Sequence, residues 1–339
     1  MEIQTVIHQL HPRTEFRIAR KRSSPYRNVL LRIERDGIVG WGEASPNPFY
    51  DESADDVVEA LGKLAPWLRS LPLRSVGDIE QVSNETWEKQ LLTGAARCAL
   101  DLALWDWLAQ KEGTTVTQLA LGKPPRPVTS FATIGLSTPE ELNVKIAELR
   151  GFPRVKIKSD ATADLEPVRR ARGELRAEVA VDANCGWDRE KIAPLSVAHG
   201  ALGVSFIEQP LPPGKDTDLV RGSYALPIVA DESCVTEWDF PRVATHFDGI
   251  NVKLVKCGGL TPALRMLKRA REEGLRTMVG CMLESSVLIA AGCVAAQIAE
   301  YADLDGAWLI ADDPCEGWTF DHGMMTPPSP LGLGAKPRD

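Results

Sequence analysis

From about residue 126 onward, the chain alternates short runs of β-branched residues with amphipathic stretches of helical length. Seven such runs occupy residues 128–134, 155–157, 178–181, 204–207, 228–230, 250–253 and 277–279. Strands that alternate with helices pair in parallel, and seven or eight such units in about 200 residues is the length of a closed barrel. An open, doubly wound sheet is the alternative, but no glycine-rich dinucleotide turn follows the first run. The sequence therefore favours a barrel.

The first 125 residues have a different pattern and are predicted to form a separate α+β domain. Residues 29–34 and 38–43 alternate around an Asp-Gly pair, which is typical of a β-hairpin. Residues 55–68 and 93–111 carry apolar side chains at helical spacing. We therefore expect a capping domain over 1–125 and a barrel over 126–314, with residues 315–339 returning to the capping domain.

Charged residues end the consecutive barrel strands at nearly constant spacing. Lys156 and Lys158 share one face of the second strand, close enough for one ammonium to lower the pKa of the other. Lys158, Asp182, Glu208 and Asp231 follow one another in steps of 24, 26 and 23 residues. Three carboxylates that converge at a barrel mouth repel one another unless a cation lies among them, and an all-oxygen site suits Mg²⁺. Each one alone is better explained as a helix cap or a surface ion pair, but three in register predict a metal site.

A further lysine continues this spacing on the sixth strand. Lys253 lies 22 residues after Asp231 and is predicted to face Lys158 across the metal. Lys256 is out of phase with Lys253 and is predicted to lie in the following loop, with no role assigned. A metal with a base on either side is the arrangement for removing a proton α to a carboxylate, because the cation stabilises the enediolate. This indicates a racemase or an epimerase.

With these residues in place, the sequence resembles the enolase superfamily, and more narrowly its muconate-lactonising subgroup. The resemblance covers almost the whole chain. It implies an α/β fold, with an α+β capping domain over a modified (β/α)₇β barrel of the TIM type, and Mg²⁺ as the cofactor. The matching positions are Lys156, Lys158, Asp182, Glu208, Asp231 and Lys253. In the family, the three acids hold the metal and the lysines on the second and sixth strands exchange the substrate proton, which implies catalytic roles for Lys158 and Lys253.

The substrate is indicated by the region of the eighth strand. Asp303 and Asp305 resemble the DxD motif of dipeptide epimerases, whose carboxylates hold the free α-ammonium of the dipeptide. A turn that caps the end of the barrel is the alternative explanation of this motif. The segment with Cys281 and Met282 is also similar to the dipeptide epimerase pattern and is expected to line the pocket. Thr133, near the end of the first run, is expected to contact the substrate.

A segment of the capping domain bears on the side chain of the substrate. Residues 16–20 (FRIAR) resemble the corresponding segment of epimerases that act on alanyl-glutamate, and a cation at Lys21 could meet an acidic side chain. The basic residues after it depart from the usual small residue of the family. A solvated basic surface is the alternative for this cluster.

These features predict a Mg²⁺-dependent dipeptide epimerase that inverts the α-carbon of the C-terminal residue by 1,1-proton transfer, with L-Ala-D/L-Glu as the leading substrate. Lys156 is expected to tune Lys158 and to contact the substrate carboxylate. Two alternatives stay open within the subgroup, an N-acylamino acid racemase and an o-succinylbenzoate synthase. A non-catalytic small-molecule binding protein is the alternative from another class.

The charge balance and the cysteines exclude other classes of partner. Lys and Arg number 39 against 47 Asp and Glu, a formal net charge of −8, so binding to nucleic acid or to an anionic membrane is disfavoured. The seven cysteines show no disulfide framework or zinc-binding spacing, and no targeting segment is visible, which favours a cytoplasmic protein. A homo-oligomer is compatible with the family, but no motif decides it.

Overall fold

The computed structural model describes residues 1–14, 26–328 and 331–338. The chain begins with an antiparallel sheet of strands β1 (Glu2–Leu10), β2 (Tyr26–Arg35) and β3 (Ile38–Ala44), in the order β1-β2-β3. The predicted hairpin is confirmed, since β2 and β3 pair up to Arg35 and Ile38. Asp36 and Gly37 have φ angles of 56° and 75°, the positive values that a tight two-residue hairpin turn needs.

Helices α1 (Ala54–Ser70) and α3 (Gly94–Lys111) pack against this sheet. Helices α2 (Val76–Glu88) and α4 (Val116–Leu121) pack against α3. Thr93 caps α3 by accepting a hydrogen bond from the backbone of Ala96, and residues 95–109 of this helix are all buried. Strand β3 lies directly on α3, because a Cβ atom added at Gly42 would be only 1.9 Å from the Ala99 carbonyl oxygen.

This close approach predicts a large difference between two Gly→Ala substitutions. Gly42→Ala is expected to lower the free energy of unfolding by about 3 kcal/mol, because the new methyl group meets backbone atoms that cannot move aside. The control is Gly62→Ala on the exposed face of α1, where nothing lies within 4 Å; it should raise stability by about 0.5–1 kcal/mol. Urea unfolding measures both. Equal midpoints for Gly42→Ala and the parent protein would show that β3 and α3 are not in contact.

The rest of the chain forms the barrel and its surroundings. The strands are β4 (Val128–Thr129), β5 (Ala132–Ile134), β6 (Arg154–Lys158), β7 (Glu178–Asp182), β8 (Val204–Glu208), β9 (Ile228–Ala230), β10 (Gly249–Lys253), β11 (Arg276–Gly280), β12 (Tyr301–Asp303), β13 (Cys315–Glu316), β14 (Thr319–Asp321), β15 (Met324–Thr326) and β16 (Lys336–Pro337). The helices are α5 (Pro139–Glu148), α6 (Glu166–Glu174), α7 (Arg189–Ala201), α8 (Phe240–His246), α9 (Leu254–Cys257), α10 (Leu260–Glu272), α11 (Ser286–Ala296) and α12 (Gly306–Leu309).

Strands β5 to β12 form one parallel sheet in sequential order, which confirms the predicted barrel fold. The sheet closes through a parallel bridge between Ser130 and Ala302, where the Phe131 N–H donates to the Ala302 oxygen at 2.8 Å. The predicted first run, residues 128–134, is not a single strand. It changes sheets at Ser130, whose N–H donates to Gly323, so β4 pairs with β15 and only β5 joins the barrel.

The barrel interior is layered, with an apolar floor below a polar layer. The floor consists of Phe131, Ala180, Phe206, Val229, Met278 and Tyr301. Two residues further along each strand or its end, on the same inward face, lie Thr133, Asp182, Glu208, Asp231, Gly280 and Asp303. The fold therefore collects polar side chains at the carboxyl ends of the strands, where barrel enzymes carry their active sites.

The C-terminal residues run between the two parts of the chain. Strand β16 pairs with β13, the Gly332 carbonyl accepts from the Val116 N–H at 2.8 Å, and the Leu333 N–H donates to Asp106 of α3 at 2.8 Å. Within residues 1–14, 26–328 and 331–338, no helix combines the length and the hydrophobicity needed to cross a membrane.

Candidate active site

The parallel register brings the three predicted metal-binding acids and Lys158 to one edge of the barrel. Lys158, Asp182 and Glu208 are direct partners across β6, β7 and β8. Asp231 lies two residues beyond Val229, the partner of Glu208, because the strands of a barrel are staggered. All three carboxylate residues are at most 1% exposed. Burial of this depth requires that each charge be compensated.

The two predicted catalytic lysines lie on opposite sides of the barrel. Lys158 is at the end of β6 and Lys253 at the end of β10, four strands apart in a sheet of eight. Lys158 Nζ is 2.5 Å from Asp182 Oδ2, and Lys253 Nζ is 2.9 Å from Asp231 Oδ2. The carboxylates lie on the strands between them, so an amine flanks the acidic group on either side.

Lys156 lies deeper in the barrel, among three carboxylates. Its ammonium contacts Asp303, and it lies 3.1 Å from Glu208 Oε2 and 3.6 Å from Asp182 Oδ2. Burial lowers the pKa of Lys156, but the negative charges of these three acids outweigh it and hold the pKa well above its ordinary value. The three carboxylates thus stabilise the charged form of Lys156.

Glu208 is the central acid of the site. Its Oε1 accepts a hydrogen bond from Asn251 Nδ2 at 2.7 Å, while Oε2 faces Lys156. Burial raises the pKa of Glu208 to about 7, and the negative charges of Asp182 and Asp231 act in the same direction. Asn251 lies on β10 and shows no signal of its own in the sequence, so this contact was not predicted.

The prediction that Lys256 lies in a loop was wrong, because Lys256 is part of the one-turn helix α9. It is buried, and its Nζ donates to Asp231 Oδ1 at 2.7 Å, to the Asp231 carbonyl at 2.5 Å and to the Asn251 carbonyl at 3.2 Å. The strand periodicity used in the prediction does not extend to a helical turn, which rotates Lys256 back toward Asp231. Asp231 is thus held between two lysines, and these charges lower its pKa well below the usual range although burial raises it.

The charges of this group balance within the described part of the chain. Four acids are matched by four lysines in two groups of ion pairs. Asp182, Glu208 and Asp303 pair with Lys156 and Lys158, and Asp231 pairs with Lys253 and Lys256. As the side chains stand, the lysines occupy the carboxylate oxygens, and no three His, Cys, Asp or Glu residues among those described are arranged around one ion. The chemistry of the donor set nevertheless fits a hard divalent cation, because three buried carboxylates provide only oxygen ligands.

The acids at the end of β12 lie beside the first barrel strand. Asp305 Oδ2 accepts a hydrogen bond from the Thr133 N–H at 2.6 Å, and burial raises the pKa of Asp305 to about 7, with the charge of Asp303 contributing. One oxygen of Asp303 contacts Lys156, whereas no hydrogen-bond partner among the described residues reaches the other. The structure therefore brings Thr133, Asp303 and Asp305 together with the buried lysines.

The segment after β11 follows the carboxyl end of that strand and carries two of the predicted substrate-binding residues. Cys281 and Met282 are half-buried, and the Met282 N–H donates to Glu284 Oε1 at 2.8 Å. Burial raises the pKa of Glu284 to about 8, and this residue was not among the predicted site residues although it lies in the same motif. Lys21 and the segment 16–20 lie outside the described residues.

Two family models together match almost the whole chain. Residues 2–122 match the model described as "Mandelate racemase / muconate lactonizing enzyme, N-terminal domain", and residues 141–339 match "Enolase C-terminal domain-like". The L-Ala-D/L-amino acid epimerase of Flavobacterium johnsoniae is 38% identical over 331 residues, which is 94% of each chain. The N-acetyl-D-glutamate racemase of a Pseudoalteromonas species is 33% identical and covers 88% of this chain and 92% of its own.

A solved structure agrees closely with the fold. The dipeptide epimerase of Methylococcus capsulatus, in complex with Mg and the dipeptide L-Arg-D-Lys, has a TM-score of 0.89 at 33% identity and covers 98% of both chains. The similarity therefore extends through the capping sheet and the barrel alike.

Proposed function

Because this chain belongs to the enolase superfamily, in its mandelate racemase and muconate-lactonising group, we propose that it is a magnesium-dependent dipeptide epimerase. The chain is an isomerase of the racemase and epimerase type, like its relatives of similar length. The proposed reaction inverts the α-carbon of the C-terminal residue, with L-Ala-D/L-Glu or a related dipeptide as substrate. One observation carries the proposal: Lys158 and Lys253 lie four strands apart, with three buried acids on the strands between them.

Asp182, Glu208 and Asp231 are the residues that would hold the Mg²⁺ ion. When bound, the ion supplies electrostatic stabilisation for the negative charge that develops on the substrate carboxylate. Charge balance supports this assignment. A substrate carboxylate adds one negative charge to this group of acids and lysines, and a lysine that acts as a base must give up one positive charge. A divalent cation restores the balance, which a buried site requires.

The two lysines would divide the proton transfer. As the family resemblance implies, Lys158 Nζ would take the α-proton of the L epimer, and the electron pair of the broken C–H bond would move into the carboxylate to give an enediolate. Lys253 then delivers a proton to the opposite face, which gives the D epimer. In the reverse direction Lys253 is the base. Lys156 keeps its proton throughout, since three acids surround it, and balances the charge beneath the reacting group.

The acids at β12 would bind the other end of the substrate. Asp303 and Asp305 are buried carboxylates next to the buried lysines. One oxygen of Asp303 accepts no hydrogen bond from the described residues. An α-ammonium group would pair with them, which a dipeptide provides and an N-acyl amino acid does not. The proposed preference for a substrate with an acidic side chain is based on Lys21, which follows the segment 16–20 in the sequence.

Incubation of the protein with Mg²⁺ and L-Ala-L-Glu in D₂O tests the proposal. We expect the α-proton signal of the glutamyl residue to disappear from the NMR spectrum as deuterium enters, together with the appearance of L-Ala-D-Glu. The same mixture with excess EDTA is the control and should show neither change. Retention of the α-proton across a panel of dipeptides with acidic, apolar and cationic side chains would reject the assignment.

A further inference from the structure

Gln209, the residue after Glu208, connects the ends of three barrel strands. Its backbone N–H donates to the Val229 carbonyl of β9 at 2.9 Å, and its carbonyl accepts from the Cys185 N–H, beyond β7, at 2.7 Å. The residue is completely buried, and its φ angle of 35° is in the left-handed region. A non-glycine residue adopts that conformation only where its surroundings enforce it.

The side-chain amide of Gln209 makes four further hydrogen bonds. Oε1 accepts from the N–H groups of Asp231 at 2.8 Å and of Ser233 at 3.1 Å. Nε2 donates to the Leu211 carbonyl and to Ser233 Oγ, both at 2.7 Å. Both amide protons and both lone pairs of the oxygen are therefore used, which is the full capacity of the group.

An ion pair between the buried Asp216 and the half-buried Arg242 fixes the direction of these hydrogen bonds. Ser233 Oγ donates its single proton to Asp216, a carboxylate that also accepts from Arg242 at 2.9 Å and can only accept. The Ser233 oxygen must then accept from Gln209, so the amide cannot turn over. The Gln209 oxygen consequently faces the Asp231 N–H. The backbone of Asp231 is therefore held by a side chain at the end of β8, the strand that carries Glu208.

We propose that Gln209 is a positioning residue, which fixes the relative positions of the strand ends that carry Asp182, Glu208 and Asp231, the proposed ligands of the divalent cation. The inference rests on the proposed function, since it takes these acids as the metal ligands. Gln209 itself does not contact the reacting atoms. It acts through the backbone of Asp231 and through the turns after β7 and β8.

The affinity for Mg²⁺, measured by titration calorimetry on the whole protein without substrate, tests this role. Gln209→Met removes all four amide hydrogen bonds without adding a charge, and we expect it to raise the Kd for Mg²⁺ by about 10- to 100-fold. The matched control is Gln297→Met. The Gln297 amide also bonds a backbone N–H and a carbonyl, both of Arg126, but it lies at the far end of α11, away from the barrel mouth. Its Kd should equal that of the parent.

The thermal midpoint in EDTA separates positioning from general stability. If Gln209→Met lowers this midpoint but binds Mg²⁺ as tightly as the parent, the residue is only structural and the inference is overturned. If the parent itself binds no Mg²⁺, the proposed function fails as well. Should Gln209→Met not fold, Ser233→Ala removes one partner of Nε2, and an unchanged Kd in that variant would equally contradict the inference.

Discussion

Lys158→Ala is expected to slow exchange of the α-proton of L-Ala-L-Glu with solvent by at least about 1,000-fold. The reason is that Lys158, at the end of β6 beside Asp182, lies opposite Lys253 on β10, whereas Lys156, the other lysine of β6, is held deeper among three acids. Without it, no base meets the α-proton of the L epimer. Lys253 is unaffected, so the α-proton of L-Ala-D-Glu should still exchange while conversion to the L epimer stops. Exchange rates in D₂O, measured separately for the two epimers, provide this comparison.

The control for this substitution is Lys145→Ala, which removes an amine of α5 that pairs with Glu148 and should leave both exchange rates unchanged. Two results would contradict the prediction. Equal losses for the two epimers would show that Lys158 and Lys253 do not act on separate faces. A protein that binds the dipeptide but exchanges no proton, with or without Lys158, would be a binding protein rather than an enzyme.

The sequence predicted the parts of this site that depend on strand periodicity. Lys158, Asp182 and Glu208 end buried strands at similar spacing, and parallel pairing converts such spacing into adjacency. Lys253 follows from the same argument on β10. These residues could be assigned because one local rule, repeated along the chain, determines where each side chain points.

Contacts across the barrel could not be predicted in this way. Lys156 contacts Asp303, 147 residues away in sequence, and Asn251 donates to Glu208, 43 residues earlier. Each depends on the curvature that closes the sheet, for which no local pattern exists. Lys256 was misplaced for a related reason, since α9 is a single turn and too short to show a helical period.

Some fold elements were also too short to be predicted. Strand β12 has three residues and was not among the periodic runs, so only the family resemblance indicated an eighth strand there. Strand β4 was merged with β5, because nothing in residues 128–134 marks the change of hydrogen-bond partners at Ser130. Both misassignments concern segments whose structure is determined by distant partners, Gly323 and Ala302.

The proposed binding of an ammonium group by Asp303 and Asp305 distinguishes a dipeptide epimerase from an N-acylamino acid racemase, but the two acids differ in their contacts. Asp303 also pairs with Lys156, so its replacement disturbs the charge network under the reaction centre whatever the substrate is. Asp305 bonds to the Thr133 N–H and has no ion pair with a lysine among the described residues. Asp305→Asn is therefore the cleaner test of ammonium binding.

Asp305→Asn is expected to reduce kcat/KM for L-Ala-L-Glu by about 100-fold, since an amide in place of the carboxylate leaves the substrate ammonium without its charged partner, a loss of about 2–3 kcal/mol. The side chain keeps its size, and its oxygen can still accept from Thr133, so folding should be preserved. Asp218→Asn, at an exposed acid paired with Arg189, is the control and should leave kcat/KM unchanged. Both variants should also be assayed with N-acetyl-L-glutamate, which has no ammonium group. If the parent racemises that compound faster than it epimerises any dipeptide, and Asp305→Asn alters neither rate, the acids do not bind an ammonium and the protein is an N-acylamino acid racemase.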